Sequence, residues 1–87
     1  MRNRPSAGPW WVYVLHSTGA PARRYVGRTR DLPTALRRHE AGRVPATRKD
    51  RPWDVVAAFA LPDLARARAL CAWLKSHPDR LPKGKSP

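Results

Sequence analysis

Two short runs of hydrophobic residues near the start of the chain, separated by a polar, glycine- and proline-containing segment, predict two strands. Trp10-Trp11-Val12-Tyr13-Val14-Leu15 is rich in aromatic and β-branched residues, and it ends at the turn signal His16-Ser17-Thr18-Gly19. Arg23 to Val26 predicts a second strand, antiparallel to the first, which Gly27 ends. Because Pro21 lies in the connection, we expect a turn longer than a tight hairpin.

A helical spacing of apolar residues follows this predicted hairpin. Asp31 is suited to cap the first turn, and Pro33 is tolerated there because the first N–H groups of a helix have no intrahelical partner. Gly42 is the expected C-cap. One face carries the residues at positions i, i+3, i+4 and i+7, which are Leu32, Ala35, Leu36 and His39.

The second half of the chain predicts one more strand and one more helix. Residues 43–52 are expected to form a loop, and residues 53–61 a third strand whose apolar content is Val55, Val56 and Phe59. Asp63 is the expected N-cap of the second helix. The apolar stripe of that helix consists of Leu64, Ala67, Leu70, Cys71 and Leu74. Trp53 and Trp73 are expected in the core.

These elements follow the order β-β-α-β-α and define an α+β fold, a small three-stranded antiparallel sheet flanked by helices. A chain of 87 residues has room for one modest core, so we expect one domain over residues 10–76. Residues 1–9 are expected to be a flexible basic N-terminus, and residues 77–87 a flexible tail rich in Pro and Lys.

The composition adds a strong positive charge to this fold. The 18 Lys and Arg residues against 6 Asp and Glu residues give a net charge of +12. Such a charge in a short chain implies self-repulsion unless a polyanion offsets it, and the arginine fork matches phosphate oxygens. Nucleic acid is the expected partner, ahead of an anionic membrane, because no basic amphipathic helix carries a broad aromatic face.

The cysteine count and the hydropathy of the chain narrow the class of protein further. A single cysteine excludes an internal disulfide and a multi-cysteine zinc site. No apolar run approaches the roughly 20 residues of a membrane span, and Trp10 to Leu15 is too short for the apolar region of a signal peptide. We therefore expect a cytoplasmic protein.

Short motifs in a fixed order point to a protein family. They are Trp11-Val12-Tyr13, Tyr25-Val26-Gly27, Gly27 to Leu32, His39 with Gly42, Thr47 to Trp53, and Ala69 to Lys75. In this series the chain resembles the GIY-YIG nuclease superfamily, specifically its small single-domain members related to the nuclease domain of bacterial excision repair. The resemblance covers residues 10–76.

The resemblance implies a metal-dependent phosphodiesterase. In such enzymes the tyrosine at the position of Tyr25 lies near the attacking nucleophile, and the tyrosine at the position of Tyr13 helps to place it. A histidine at the position of His39 assists proton transfer in some members. The family also uses a helix arginine to stabilise charge on the phosphate and a helix glutamate to hold Mg²⁺ or Mn²⁺, as phosphodiester cleavage requires.

This chain departs from the family pattern at both phosphate-handling positions. Ala35 stands where the arginine is expected, and Cys71 stands where the metal-binding glutamate is expected. Arg38, one helical turn further on, is a candidate substitute for the arginine. A thiolate suits softer metals than Mg²⁺, so we assign no metal ligand.

These departures make the expected function a nucleic-acid-binding domain, with DNA as the expected ligand, whose cleavage activity is lost or weakened. The predicted phosphate contacts are Arg23, Arg24, Arg28, Arg30, Arg37, Arg38, Arg43, Arg48, Lys49 and Arg51. One alternative is an active, structure-selective endonuclease with relocated catalytic groups. A second is a protein-interaction module for an acidic partner.

Each singled-out residue also has a purely structural interpretation. Tyr13 and Tyr25 can be ordinary strand aromatics, His39 a core histidine, and Cys71 a small buried hydrophobic residue. Trp10 or Trp11 can pack in the sheet or, if exposed, stack on a nucleobase.

Overall fold

A computed structural model describes residues 9–19 and 23–78 of the chain. The expected flexible N-terminus and tail fall almost entirely on residues 1–8 and 79–87, which lie outside the described residues. The elements are β1 (Trp10–Ser17), β2 (Arg24–Thr29), α1 (Leu32–Glu40), a 3₁₀ turn (Arg48–Asp50), β3 (Trp53–Leu61) and α2 (Leu64–Ser76). The predicted order β-β-α-β-α is confirmed, and the protein is a small α+β domain.

β1 is the central strand of a three-stranded antiparallel sheet with the order β2-β1-β3. Tyr13 lies opposite Gly27 of β2, and Leu15 lies opposite Tyr25. On the other side, a bulge interrupts the pairing of β1 with β3 between Val14 and Leu15. This register places Tyr13, Gly27 and Tyr25 on one face of the sheet.

The two faces of β1 pack against different helices. Val12 and Val14 belong to a buried cluster with Ala67, Cys71 and Leu74 of α2. The alternate residues Tyr13 and Leu15 belong to a second cluster with Ala35 of α1. Because successive strand residues point to opposite faces, α1 and α2 cover opposite faces of the sheet. The tyrosines therefore lie on the α1 face.

Both helices begin where the capping residues predict. The Asp31 carboxylate accepts a hydrogen bond from the Thr34 backbone N–H at 3.1 Å, and the Asp63 carboxylate accepts one from the Arg66 backbone N–H at 2.8 Å. The C-cap of α1 is Ala41 rather than the predicted Gly42, which follows it with a positive φ of 76° that glycine adopts without strain. Within residues 9–19 and 23–78, no helix has the length and apolar character needed to cross a membrane.

The strand ends differ from the prediction. Gly27 lies inside β2 rather than at its end, and β1 continues through His16 and Ser17, which were predicted to turn. The reason is cooperative pairing, since His16 finds partners in both neighbouring strands, Arg24 and Asp54. The predicted loop 43–52 also contains the 3₁₀ turn.

The predicted core is wrong at Trp73. Trp73 is 36% exposed and stacks on His77, four residues further along, with ring centroids 4.2 Å apart. Val55 and Val56 are also exposed, because β3 is an edge strand and α1 covers only part of its sheet face. Trp53 is half-buried.

Candidate active site

The strand register and α1 bring Tyr13, Tyr25 and His39 together, and we call these three residues the tyrosine cluster. The ring centroids of Tyr13 and Tyr25 are 6.3 Å apart. The His39 ring meets the two tyrosine rings edge-on at 5.7 Å and 5.0 Å. All three predicted catalytic residues therefore lie in one place.

Gly27 makes room for the cluster. A Cβ atom at this position would lie 2.6 Å from Cζ and the hydroxyl oxygen of Tyr13, and 2.9 Å from Cε2 of Tyr25. Such distances are shorter than real carbon contacts, so the Tyr13 ring can lie across the backbone only because residue 27 has no side chain. The glycine of the Tyr25-Val26-Gly27 motif thus has a steric role in placing Tyr13.

A chain of hydrogen bonds fixes the His39 ring. The Tyr13 hydroxyl lies 2.9 Å from His39 Nε2, and His39 Nδ1 lies 2.8 Å from Thr47 Oγ1. The Thr47 hydroxyl donates to the Val44 carbonyl at 3.4 Å, since a carbonyl oxygen can only accept. His39 Nδ1–H then donates to the Thr47 hydroxyl, and Nε2 accepts a hydrogen bond from the Tyr13 hydroxyl. His39 is oriented as a base towards the phenol.

Burial keeps all three groups of the cluster uncharged. It raises the pKa of Tyr13 to about 12, the nearby Tyr25 and Cys71 act in the same direction, and the positive charge of Arg38 opposes them. Burial likewise raises the pKa of Tyr25 and lowers the pKa of His39. At neutral pH the phenols are therefore protonated hydrogen-bond donors, and the imidazole is neutral.

Ala35 packs against this cluster on the α1 face, Cys71 lies on the α2 face at the Gly27 backbone, and neither brings a charge to the cluster. Ala35 is buried against Tyr13 and Leu15. Cys71 is 4% exposed, and its Sγ lies 4.0 Å from the Gly27 carbonyl oxygen. Both positions where the family resemblance leads us to expect a charged group are therefore near the tyrosines, and both are filled by small, buried side chains.

The donor set at the cluster does not fit a hard divalent cation. It consists of two phenols, an imidazole whose nitrogens are both hydrogen-bonded, and the Cys71 thiol. Mg²⁺ prefers carboxylate and water oxygens in octahedral geometry. In the part of the chain that the structure describes, no three His, Cys, Asp or Glu side chains are grouped as metal ligands.

Two of the predicted phosphate-binding arginines hold the fold together. Arg24 Nη1 donates to the Leu74 carbonyl at the end of α2, at 2.9 Å. Arg51 Nη1 donates to the Glu40 carbonyl at the end of α1, and its Nε donates to the Arg48 carbonyl, both at 3.1 Å. Arg51 thus satisfies the Glu40 carbonyl at the end of α1, and Arg24 gives a second donor to the Leu74 carbonyl, which also accepts from the His77 backbone N–H.

Three other predicted arginines make weak contacts with side chains. Arg23 Nε lies 3.9 Å from an Asp50 carboxylate oxygen. The Arg30 guanidinium lies 5.4 Å from the centre of the Trp10 ring. Arg37 donates to the Thr34 hydroxyl at 3.3 Å. Exposed contacts of these kinds stabilise a protein little and can be exchanged for a phosphate contact.

The remaining predicted contacts are exposed cations. Among residues 9–19 and 23–78, their side chains make no hydrogen bond or ion pair; they are Arg28, Arg38, Arg43, Arg48 and Lys49. Arg38 lies on α1, one turn beyond Ala35, and its charge acts on the Tyr13 hydroxyl. Arg48 and Lys49 lie together in the 3₁₀ turn.

The sequence interpretation gave no role to Thr47. This side chain is completely buried and orients His39 through its hydroxyl, while its carbonyl accepts from Trp53 Nε1 at 2.8 Å. Thr47 was part of the motif series, but no local pattern of polarity marks a loop threonine as buried. Only its contact with a helix residue eight positions away reveals the role.

Comparisons with known protein families, with curated proteins and with solved structures found no match.

Proposed function

We propose that this protein is a nucleic-acid-binding domain of the GIY-YIG type, with DNA as the expected ligand, whose phosphodiesterase activity is lost or strongly weakened. The observation that supports it most strongly is the juxtaposition of an ordered Tyr13–His39 pair with uncharged side chains at Ala35 and Cys71. The chain keeps the groups that would place a nucleophile and omits those that would neutralise the phosphate.

The absence of a guanidinium at Ala35 and of a carboxylate at Cys71 favours binding over cleavage. Removing a single group that stabilises developing negative charge typically costs about 10²–10³ in kcat. Ala35 and Cys71 together remove the expected guanidinium and the expected carboxylate, and no cluster of metal ligands replaces the latter among the described residues. Phosphate binding by exposed Arg and Lys side chains needs neither of these groups.

One observation favours the alternative of a working nuclease. Arg38 lies on α1 one turn beyond Ala35 with an exposed side chain, and its positive charge partly opposes the rise in the pKa of Tyr13 that burial causes. A phosphate bound over the tyrosine cluster would then have Arg38 as its cationic partner. This nuclease would nick DNA with Mg²⁺ or Mn²⁺ and would lose that activity in the Tyr25→Phe variant.

A binding and cleavage assay on duplex, flapped and branched DNA, with and without Mn²⁺, tests these functions together. The proposal expects complexes that weaken steeply with salt and no cleavage product. Metal-dependent nicking that Tyr25→Phe abolishes would establish the nuclease instead. If neither DNA nor RNA binds at physiological salt, the protein-interaction module becomes the better account.

A further inference from the structure

A cleft lies on the α1 face of the protein, between the C-terminal half of α1, the 3₁₀ turn and the start of β3. Its volume is about 440 Å³. Leu36, Trp53 and Val55 form its apolar wall, Arg48 and Lys49 supply positive charge, and the exposed Glu40 at the end of α1 supplies one negative charge. His39 also lines it, so the cleft adjoins the tyrosine cluster through a shared residue. We call it the α1–β3 cleft.

The indole of Trp53 is held in a fixed position in this wall. Its Nε1 donates to the Thr47 carbonyl at 2.8 Å, and Thr47 is itself held by His39 and Val44. An aromatic side chain fixed in this way gives a flat apolar surface without an ordering cost on binding. Nucleobases stack on such surfaces with little regard to sequence.

The cations of the α1–β3 cleft complement a phosphate. Arg48 and Lys49 are exposed, and neither side chain makes a hydrogen bond or ion pair with residues 9–19 or 23–78. The third cation, Arg51, is occupied by the Glu40 and Arg48 carbonyls. The cleft therefore combines an apolar interior with three cations against the one carboxylate of Glu40, and two of these cations are available, which matches a base joined to a phosphate.

We propose that the α1–β3 cleft binds one unpaired nucleotide, with its base against Trp53, Leu36 and Val55 and its phosphate on Arg48 and Lys49. The inference rests on the proposed function and adds the substrate class, since a base enters a cleft only if it is unstacked and unpaired. A paired duplex cannot place a base there without extrusion. The protein thus prefers DNA with an unpaired position, such as a bulge or a flap junction.

A pair of neighbouring substitutions tests this inference. Val55→Trp fills the cleft with a larger side chain, whereas Val56→Trp changes an adjacent residue of similar exposure that does not line it. Lys49→Glu reverses a charge at the cleft, and Arg68→Glu on α2 is its control, because α2 lies on the opposite sheet face. Circular dichroism verifies the fold of each variant.

The binding assay compares two duplexes of equal length, one fully paired and one with a single unpaired nucleotide. The expected preference for the unpaired position is about tenfold, because base–aromatic stacking contributes about 1–3 kcal/mol. Val55→Trp and Lys49→Glu should remove this preference, while Val56→Trp and Arg68→Glu should keep it. Equal affinities of the wild-type protein for both duplexes, or equal effects of the two valine variants, would overturn the inference.

Affinity for the fully paired duplex separates this inference from the proposed function. If the paired duplex binds in a salt-sensitive way and the unpaired nucleotide gives no preference, only the proposed nucleotide site is refuted. If neither duplex binds at low salt, the proposed function is refuted as well. Titration with free dAMP and inorganic phosphate identifies the source of the nucleotide. Tighter binding of dAMP than phosphate, lost in Val55→Trp, indicates a free nucleotide site. The duplex preference without such a difference indicates a nucleotide within a strand.

Discussion

Tyr13 of β1 lies opposite Gly27 of β2. Because Gly27 has no side chain, the Tyr13 ring can lie across its backbone. The Tyr13 hydroxyl then reaches His39, which Thr47 holds from behind. At the scale of single residues, the site thus depends on the space left by Gly27 and on the hydrogen bonds that join Tyr13, His39 and Thr47. Both can be tested by small substitutions.

Gly27→Ala should destabilise the protein by about 1–3 kcal/mol, because its methyl group would overlap the Tyr13 ring and force it to move. Urea unfolding measures the change. Gly19→Ala is the control, since a Cβ there meets no atom within 4 Å and should change stability by less than about 0.5 kcal/mol. Equal effects of the two substitutions would contradict the packing assigned to Tyr13.

The Tyr13 phenol should ionise at about pH 12, in contrast to an ordinary tyrosine pKa of 10.0. The Tyr25→Phe variant leaves Tyr13 as the titrating tyrosine, and difference absorbance measures its pKa, which should still be raised above 10.0, because burial, the largest cause, remains when the Tyr25 charge is removed. Because the unfolded chain loses the proton first, stability should fall as pH rises from 10 towards 12. A midpoint near 10 while circular dichroism still indicates a folded protein would refute the burial of this hydroxyl.

At the scale of secondary structure, the segment after α1 is organised by Arg51. Its guanidinium lies against Gly42, where a Cβ would be 2.9 Å from the Arg51 Cζ and Nη1 atoms, and it donates to the Glu40 and Arg48 carbonyls. The end of α1 and the 3₁₀ turn are thereby joined. That junction positions Thr47 behind His39 and also forms one side of the α1–β3 cleft.

Arg51→Ala should lower stability by about 1 kcal/mol, because two hydrogen bonds from a charged donor to helix-terminal carbonyls are lost. Chemical denaturation gives the value. Arg48→Ala removes an exposed side chain of the same type from the same turn, and it should have less than half of that effect. The account of this junction fails if Arg48→Ala is the more destabilising change.

Much of this architecture follows from local sequence patterns, and the differences arise from tertiary pairing. Asp31, Asp63 and Gly42 mark the helix ends because capping is a local property. The end of β2 could not be predicted locally, since the ladder with β1 carries the strand past Gly27 to Thr29. Trp73 was predicted in the core because tryptophan is large and apolar. Its position on α2 lies outside the buried stripe of Ala67, Cys71 and Leu74.

The candidate site was predictable to the same limited extent. The motif series named Tyr13, Tyr25 and His39, and the structure brings them together. Which cations are available could not be read from the sequence, because Arg24 and Arg51 differ from Arg28 only in the carbonyls they meet in the fold. The α1–β3 cleft likewise depends on the packing of distant segments.

At the scale of the whole molecule, a net charge of +12 is carried on a scaffold whose central cluster is neutral. Most of this charge is on exposed arginine and lysine side chains. A positive surface suits phosphate binding, whereas a neutral cluster lacks the charges that the family resemblance associates with cleavage. Restoring the two missing charges is the direct way to test this difference between binding and cleavage.

Ala35→Arg combined with Cys71→Glu should create metal-dependent nicking of DNA, because it puts a guanidinium and a carboxylate at the two positions where the family resemblance leads us to expect them. The cost is a loss of stability, since both side chains replaced are buried. Ala65→Arg with Ala72→Glu introduces the same charges at exposed positions of α2 and should create no activity. A folded double variant without cleavage would show that Ala35 and Cys71 are not the substituted catalytic positions.

The central claim, binding of DNA without its cleavage, is tested most directly by electrophoresis of one labelled, branched DNA with the unmodified protein in the presence of Mn²⁺. The same gel separates the complex, the free DNA and any cleavage product. The account predicts a complex at low salt that weakens steeply as salt increases, with no product at any salt concentration. Absence of a complex at low salt, or a product that requires Mn²⁺ and disappears in Tyr25→Phe, would contradict it.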